Sequence, residues 1–226
     1  MKNIIDIYEG ILSDVETTIN NMDSDLIKAK IQQWIDSIKL SNDSDLTIEP
    51  DNTILFTKFS VINDDNFTGF PDFIKLSPKF SQRTYAPSVL IRNCKNFKSF
   101  GIDMPPYICY LNIIDCPNFE GFIDSTYNIQ HIISSFNIIN CANAKFELVP
   151  RTMAWLCFKN LPNIKDMSCL RGSDIKTASI EDLPNLKSVD ELPWSITQLL
   201  IFRCPRLRKI KYLPLLYTLI TQHQHY

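Results

Sequence analysis

The chain has 226 residues, is 45% hydrophobic and carries a formal net charge of -2, with 23 basic and 25 acidic groups. That is enough apolar material for one or two domains with a real core, and too balanced a charge to make a general electrostatic case for nucleic acid. Five glycines against 13 prolines argue against a glycine-rich nucleotide fold and for punctuated turns.

The charge is unevenly spread. Residues 1–80 hold 7 basic and 14 acidic groups, while residues 151–226 hold 11 basic and 6 acidic. The opening "MKNIIDIYEG" is interrupted by Asp6 and Glu9 before any apolar run forms, so no export signal is expected. No stretch approaches the length of a membrane span. The seven cysteines, an odd number, are therefore expected as reduced thiols in a cytoplasmic setting, with a virion as the alternative.

Residues 3–19 predict a helix, with Ile4, Tyr8, Ile11, Val15 and Ile19 at helical spacing and Asn20-Asn21 as its stop. A second helix is expected from the N-cap Ser24, presenting Ile27, Ile31, Trp34 and Ile38 on one face. Together they predict an N-terminal helical hairpin over residues 1–40. It either caps the remainder of the chain, with Trp34 as anchor, or docks elsewhere through the "LSNDSD" stretch at 40–45. Polar faces rich in Asp and Glu argue against membrane binding.

From residue 54 onward the chain repeats itself. With Cys116 as position zero, apolar residues sit at -8, -5, -3, +3 and +6: Ile108, Leu111, Ile113, Phe119 and Phe122. The same frame fits around Asp64, Cys94, Cys141, Leu161, Leu183 and Cys204, at spacings of 30, 22, 25, 20, 22 and 21. The copy at Cys141 degrades to Ala144 and Glu147, and a partial last copy holds Leu216 and Leu219. Position -1 is Asn63, Asn93, Asp115, Asn140, Asn160 or Asp182. Position +2 is Asn66, Asn96, Asn118, Asn143, Asn163 or Asn185. Asn and Asp satisfy backbone groups where a chain turns. Each copy predicts a short strand, an Asx corner and a returning loop, a unit that buries its apolar edge only when stacked. An inserted loop is expected near 71–85.

The pattern resembles the leucine-rich repeat family, L-x-x-L-x-L-x-x-(N/C)-x-L, which falls on "ICYLNIIDCPNF" and "ITQLLIFRCPRL". The resemblance covers about 54–221 and departs from the family in placing the next apolar residue at +3. It implies an α/β solenoid over 41–226 with about seven to eight repeats. A short parallel sheet would line one side, and loops or short helical turns the other. The start "MKNIIDIYEGILSDVE" also resembles predicted proteins of gut Bacteroidales and their tailed phages.

Cys94, Cys116, Cys141 and Cys204 occupy the anchor where other copies place leucine, which predicts small buried filler. Cys157 falls at -4, on the outward side. No hydrolase, nucleotide or zinc motif is present, and His131, His223 and His225 have no partners at informative spacing, so neither an enzyme nor a metal or other cofactor is expected.

Strand alternation sends -5 and -3 inward and leaves -6, -4 and -2 on the open face. There Leu90, Tyr110, Ile114 and Ile139 predict an apolar patch, with Arg92, Trp155 and Lys159 beside it and Leu200 with Phe202 as a second apolar site. Such a set predicts a protein partner. Two other readings stay open. One is a structural component of a larger assembly, a phage particle or homo-oligomer, docked by the N-terminal helices. The other is a polyanion binder through Arg203, Arg206, Arg208, Lys209 and Lys211, against which the acidic first half argues.

Overall fold

In a computed structural model, residues 25–49, 51, 53–71, 75–78, 87–100, 107–122, 132–146, 149–208 and 218–222 are described. They form a mixed α/β solenoid built on a mostly parallel sheet. Helix α1 (25–37) precedes ten strands: β1 (Asp45–Ile48), β2 (Thr53–Ile62), β3 (Lys75–Pro78), β4 (Ser88–Arg92), β5 (Tyr107–Ile114), β6 (Ile132–Ile139), β7 (Thr152–Lys159), β8 (Asp174–Glu181), β9 (Gln198–Phe202) and β10 (Thr218–Gln222). The sheet runs β1-β2-β4-β5-β6-β7-β8-β9-β10, with every neighbour from β2 onward parallel.

Register follows the sequence frame. Ile91 pairs with Ile113, Ile113 with Ile138, Ile138 with Phe158, Phe158 with Ile180, and Ile180 with Ile201. All residues at -5 and -3, from Phe59 and Val61 to Leu199 and Ile201, are buried. A one-residue slip would turn all of them to solvent, which is why the pattern specifies the register so strongly.

The corner at -1 explains the Asx column. Asn63, Asn93, Asp115, Asn140, Asn160 and Asp182 all adopt left-handed φ between 51° and 57°. Among non-glycine residues, Asn and Asp reach that region at least cost. Each corner N–H donates to the carbonyl at -2 of the next coil, as Asn93 does to Ile114 at 2.9 Å and Asp115 to Ile139 at 2.9 Å. Side chains continue the ladder: Asn93 Nδ2 to Asn63 Oδ1 (2.6 Å), Asn140 to Asp115 (2.6 Å) and Asn160 to Asn140 (3.1 Å). At +2, Asn96, Asn118, Asn163 and Asn185 donate to carbonyls of the preceding coil.

The anchor cysteines do more than fill space. The thiols of Cys94, Cys116, Cys141 and Cys204 lie 3.3–3.4 Å from the carbonyl at their own -2 and 3.7–3.9 Å from the carbonyl at -3 of the preceding coil. A buried S–H is a weak donor, and these thiols spend it on buried backbone. Among the described residues, the first copy has no preceding coil. There Asp64 instead accepts from the N–H groups of Lys39 (2.5 Å) and Asn66 (2.8 Å), tying the exit of α1 to the first corner.

Behind the sheet runs an aromatic spine. Phe67, Phe97 and Phe119 stack at 5.2 Å between centroids, and Phe70, Phe100 and Phe122 at 5.5–5.6 Å. Trp34 of α1 closes the near end, stacked on Phe59 at 6.3 Å with Ile31 buried beside it. The second predicted helix thus packs on the first coil through the expected face. The helix over 3–19, its stop at Asn20-Asn21 and the N-cap Ser24 expected for the second helix lie outside the described residues. The degenerate copy is repaired locally. Ala144 is small and fully buried at +3, and Phe146 joins the spine from +5, 6.3 Å from both Phe119 and Phe122 and stacked 5.3 Å from Phe158.

Two elements differ from expectation. The stretch near 71–85, expected as a loop, contains β3, which pairs in parallel with Thr53–Phe56 of the long β2, below β4 on the same edge. The 40–45 stretch leads directly into β1. Leu40 bridges Val61, and β1 lies antiparallel on β2. This strand covers an edge that would otherwise carry unpaired backbone groups.

Candidate functional site: the open face of the sheet

The register assembles three columns across β4 to β9. At -6, Ser88, Tyr110, Ser135, Trp155, Thr177 and Gln198 are successive partners. At -4 they are Leu90, Asn112, Asn137, Cys157, Ser179 and Leu200, and at -2 Arg92, Ile114, Ile139, Lys159, Glu181 and Phe202. Neighbouring strands lie about 4.8 Å apart, so Tyr110 and Trp155, two strands from each other, are separated by roughly 10 Å.

Exposure divides the candidates. Tyr110 is 49% and Trp155 38% exposed, large values for aromatic rings. Leu90, Ile114, Ile139, Leu200 and Phe202 are half-buried, their flanks covered by strand neighbours. Ile114 and Ile139 sit directly side by side, one strand from Arg92. The predicted apolar residues thus fall into two zones. Leu90, Ile114 and Ile139 form one, and Leu200 with Phe202 the other. Lys159 and Glu181 stand between them on the -2 column.

That pair decides the electrostatics. Lys159 Nζ lies 2.9 Å from Glu181 Oε2, and the Ser179 hydroxyl donates to Glu181 Oε1 at 2.8 Å. Burial pushes the Glu181 carboxyl up, but the Lys159 ammonium and the Ser179 hydroxyl outweigh it and hold the group below its ordinary value. The same hydrogen bond raises the Lys159 amine, which stays charged and is no nucleophile. Arg92, exposed, reaches Asp115 only at 3.9 Å and keeps its donors for other partners.

The middle column is polar. Asn137 Nδ2 donates to Asn112 Oδ1 at 2.7 Å and to Ser135 Oγ at 3.1 Å, leaving amide and hydroxyl groups in reach of solvent. Cys157 is covered by its neighbours, and burial pushes its thiol up to about 11. A protonated thiol and a paired amine suit recognition rather than covalent chemistry. Among the described residues, no group of three or more His, Cys, Asp or Glu side chains is arranged to hold a metal ion. Among them, too, no helix is long and apolar enough to cross a membrane.

The C-terminal basic cluster is only partly brought together. Arg203 occupies the -1 corner, at φ 48°, and its guanidinium grips Asp182 through Nε at 2.5 Å and Nη2 at 2.7 Å. Arg206 and Arg208 are exposed, and Lys209 and Lys211 lie outside the described residues. One of the five cations is thereby committed to a carboxylate within the fold.

Two features escaped the sequence columns. Trp194, 77% exposed, stands on the loop between β8 and β9, outside the repeat frame. An open cleft of about 610 Å³ forms where α1 meets the first corners, lined by Asp36, Lys39, Asn63, Asp65 and Lys95 among others. Its polar groups are largely spent on one another: Lys95 pairs with Asp65 at 2.9 Å, and Asn93 donates to Asn63. No protein-family model, no curated protein and no solved structure matches the chain.

Proposed function

We propose that this chain is a non-catalytic, leucine-rich-repeat-like protein that binds a protein partner through the open face of its parallel sheet. The observation that carries this is the exposure of Tyr110 and Trp155 on a face that also holds Leu90, Ile114 and Ile139. Exposed aromatic rings beside half-buried aliphatic groups and an arginine are the composition of interface hot spots. A hydrogen-bonded sheet face also contributes contacts without loop ordering, which lowers the entropic cost of association.

The test is site-specific. A photo-cross-linking residue at position 110 or 155 should capture a discrete partner that the same residue at Lys187, on the loop side, does not. Tyr110→Ala with Trp155→Ala should then weaken that purified partner's binding at least about thirtyfold, or 2 kcal/mol. Equal capture from both sides, or unchanged affinity, would sink the proposal.

A further inference from the structure

We propose that copies of this chain associate head to tail, with the outer edge of β10 of one copy against the outer edge of β1 of the next. The two strands terminate the sheet order, and among the described residues each pairs on one side only. A terminal strand presents a row of backbone donors and acceptors that templates another strand.

Charge selects the partner edge. Residues 25–51 hold Asp25, Asp36, Asp43, Asp45, Glu49 and Asp51 against Lys28, Lys30 and Lys39. Beyond Glu191 the sequence shows no acidic residue, while Arg206, Arg208, Lys209 and Lys211 come after it, Arg203 being paired with Asp182. Asp45 on β1 and Arg206 and Arg208 after β9 are exposed. A symmetric dimer through either end would bring like charges together, whereas head-to-tail contact pairs them. Strand direction agrees. β10 runs with β2 and β1 runs against it, so copies stacked in the same orientation meet in an antiparallel joint, the slightly more stable pairing. A head-to-tail contact that does not close extends the assembly. The open sheet face stays free in this arrangement, so the proposal is independent of the partner assigned above.

Sedimentation velocity over a wide concentration range tests it. Wild-type mass should climb past that of a dimer from 26.2 kDa without a plateau, and added salt should reverse the climb. Arg206→Glu with Arg208→Glu, or Asp45→Lys with Glu49→Lys, should each weaken association at least about tenfold. Mixing the two variants should restore it, because every junction then joins opposite charges. A monomer at all concentrations would overturn the proposal. So would a closed dimer insensitive to salt, or a mixture that stays monomeric. The salt series on the unmodified chain keeps the test decisive should a charge reversal misfold.

Discussion

Replacing Phe97 by alanine probes whether the aromatic spine holds the coils together. Phe97 is fully buried, stacked on Phe67 at 24° and on Phe119 at 9°, both at 5.2 Å, with Phe100 edge-on at 5.5 Å. Its stacking neighbours belong to other coils, whose separation is set by the hydrogen-bonded sheet, so they cannot collapse into the gap. The cost should therefore sit high in the range for buried phenylalanine, at about 4–5 kcal/mol. That is about a quarter or more of the stability of an ordinary domain. Equilibrium urea unfolding, followed by circular dichroism and by Trp fluorescence, measures it. Coincident transitions are required, since stacked coils can unfold separately. A loss under about 2 kcal/mol at unchanged m-value would show that the coils close around the cavity. The companion change, Ala144→Phe, should cost about 1–3 kcal/mol, because the slot at Ala144 is fully buried and Phe146 already packs against Phe119, the ring a new phenylalanine there would meet. Stabilisation instead would show the slot to be empty.

Other outcomes rest on particular contacts. Gly121 has φ 131°, and a Cβ there would lie 2.4 Å from the carbonyl oxygen of Lys145; Gly121→Ala should cost about 3 kcal/mol or more in the same urea assay. Gly172, at φ 78° with open space around it, should lose only about 1–2 kcal/mol on the same change, and equal losses would refute the steric account. Hydrogen bonding to Arg203 draws the Asp182 carboxyl down, and Glu181 is also held below its ordinary value. Their stabilisation is complete above the unfolded carboxyl values near about 4 and is lost as pH falls through the lower folded values. Urea midpoints should drop between about pH 5 and 3, and Glu181→Gln with Asp182→Asn should flatten that drop. Of the seven thiols, half-buried Cys109 should react first with a maleimide at neutral pH, since burial pushes Cys157 to about 11 and Cys141 and Cys169 to about 12. Rapid labelling of any anchor cysteine, read by peptide mass, would contradict its burial.

Where the sequence was informative, the reason is geometric. A strand alternates faces with period two, and stacked coils place equal positions side by side. Fixing the anchor at Cys116 therefore placed Leu111 and Ile113 in the core and Tyr110, Asn112 and Ile114 on the open face, as their burial shows. The repeated Asn or Asp at -1 announced a corner because few other side chains take left-handed φ. Trp34 was legible as an anchor from its place on the apolar stripe of α1.

What remained hidden lies between coils, where partners are 20 or more residues apart and no local pattern records them. Nothing in "WLCFKN" says that Lys159 is neutralised by Glu181, nor in "RCPRL" that Arg203 is claimed by Asp182; both depend on strand register. The copy at Cys141 read as broken because Ala144 and Glu147 sat in the frame. Phe146 restores the spine from an off-frame position because packing is judged by volume filled, not by sequence position. β1 went unforeseen for a related reason: the short "DLTI" becomes a strand only because the edge of β2 needs its hydrogen bonds met. The sequence by itself determined which way each side chain faces, since periodicity dictates it. Tertiary structure alone decided which charges cancel, which off-frame ring joins the spine and which strand covers the edge of β2, since those depend on what neighbouring coils bring within reach.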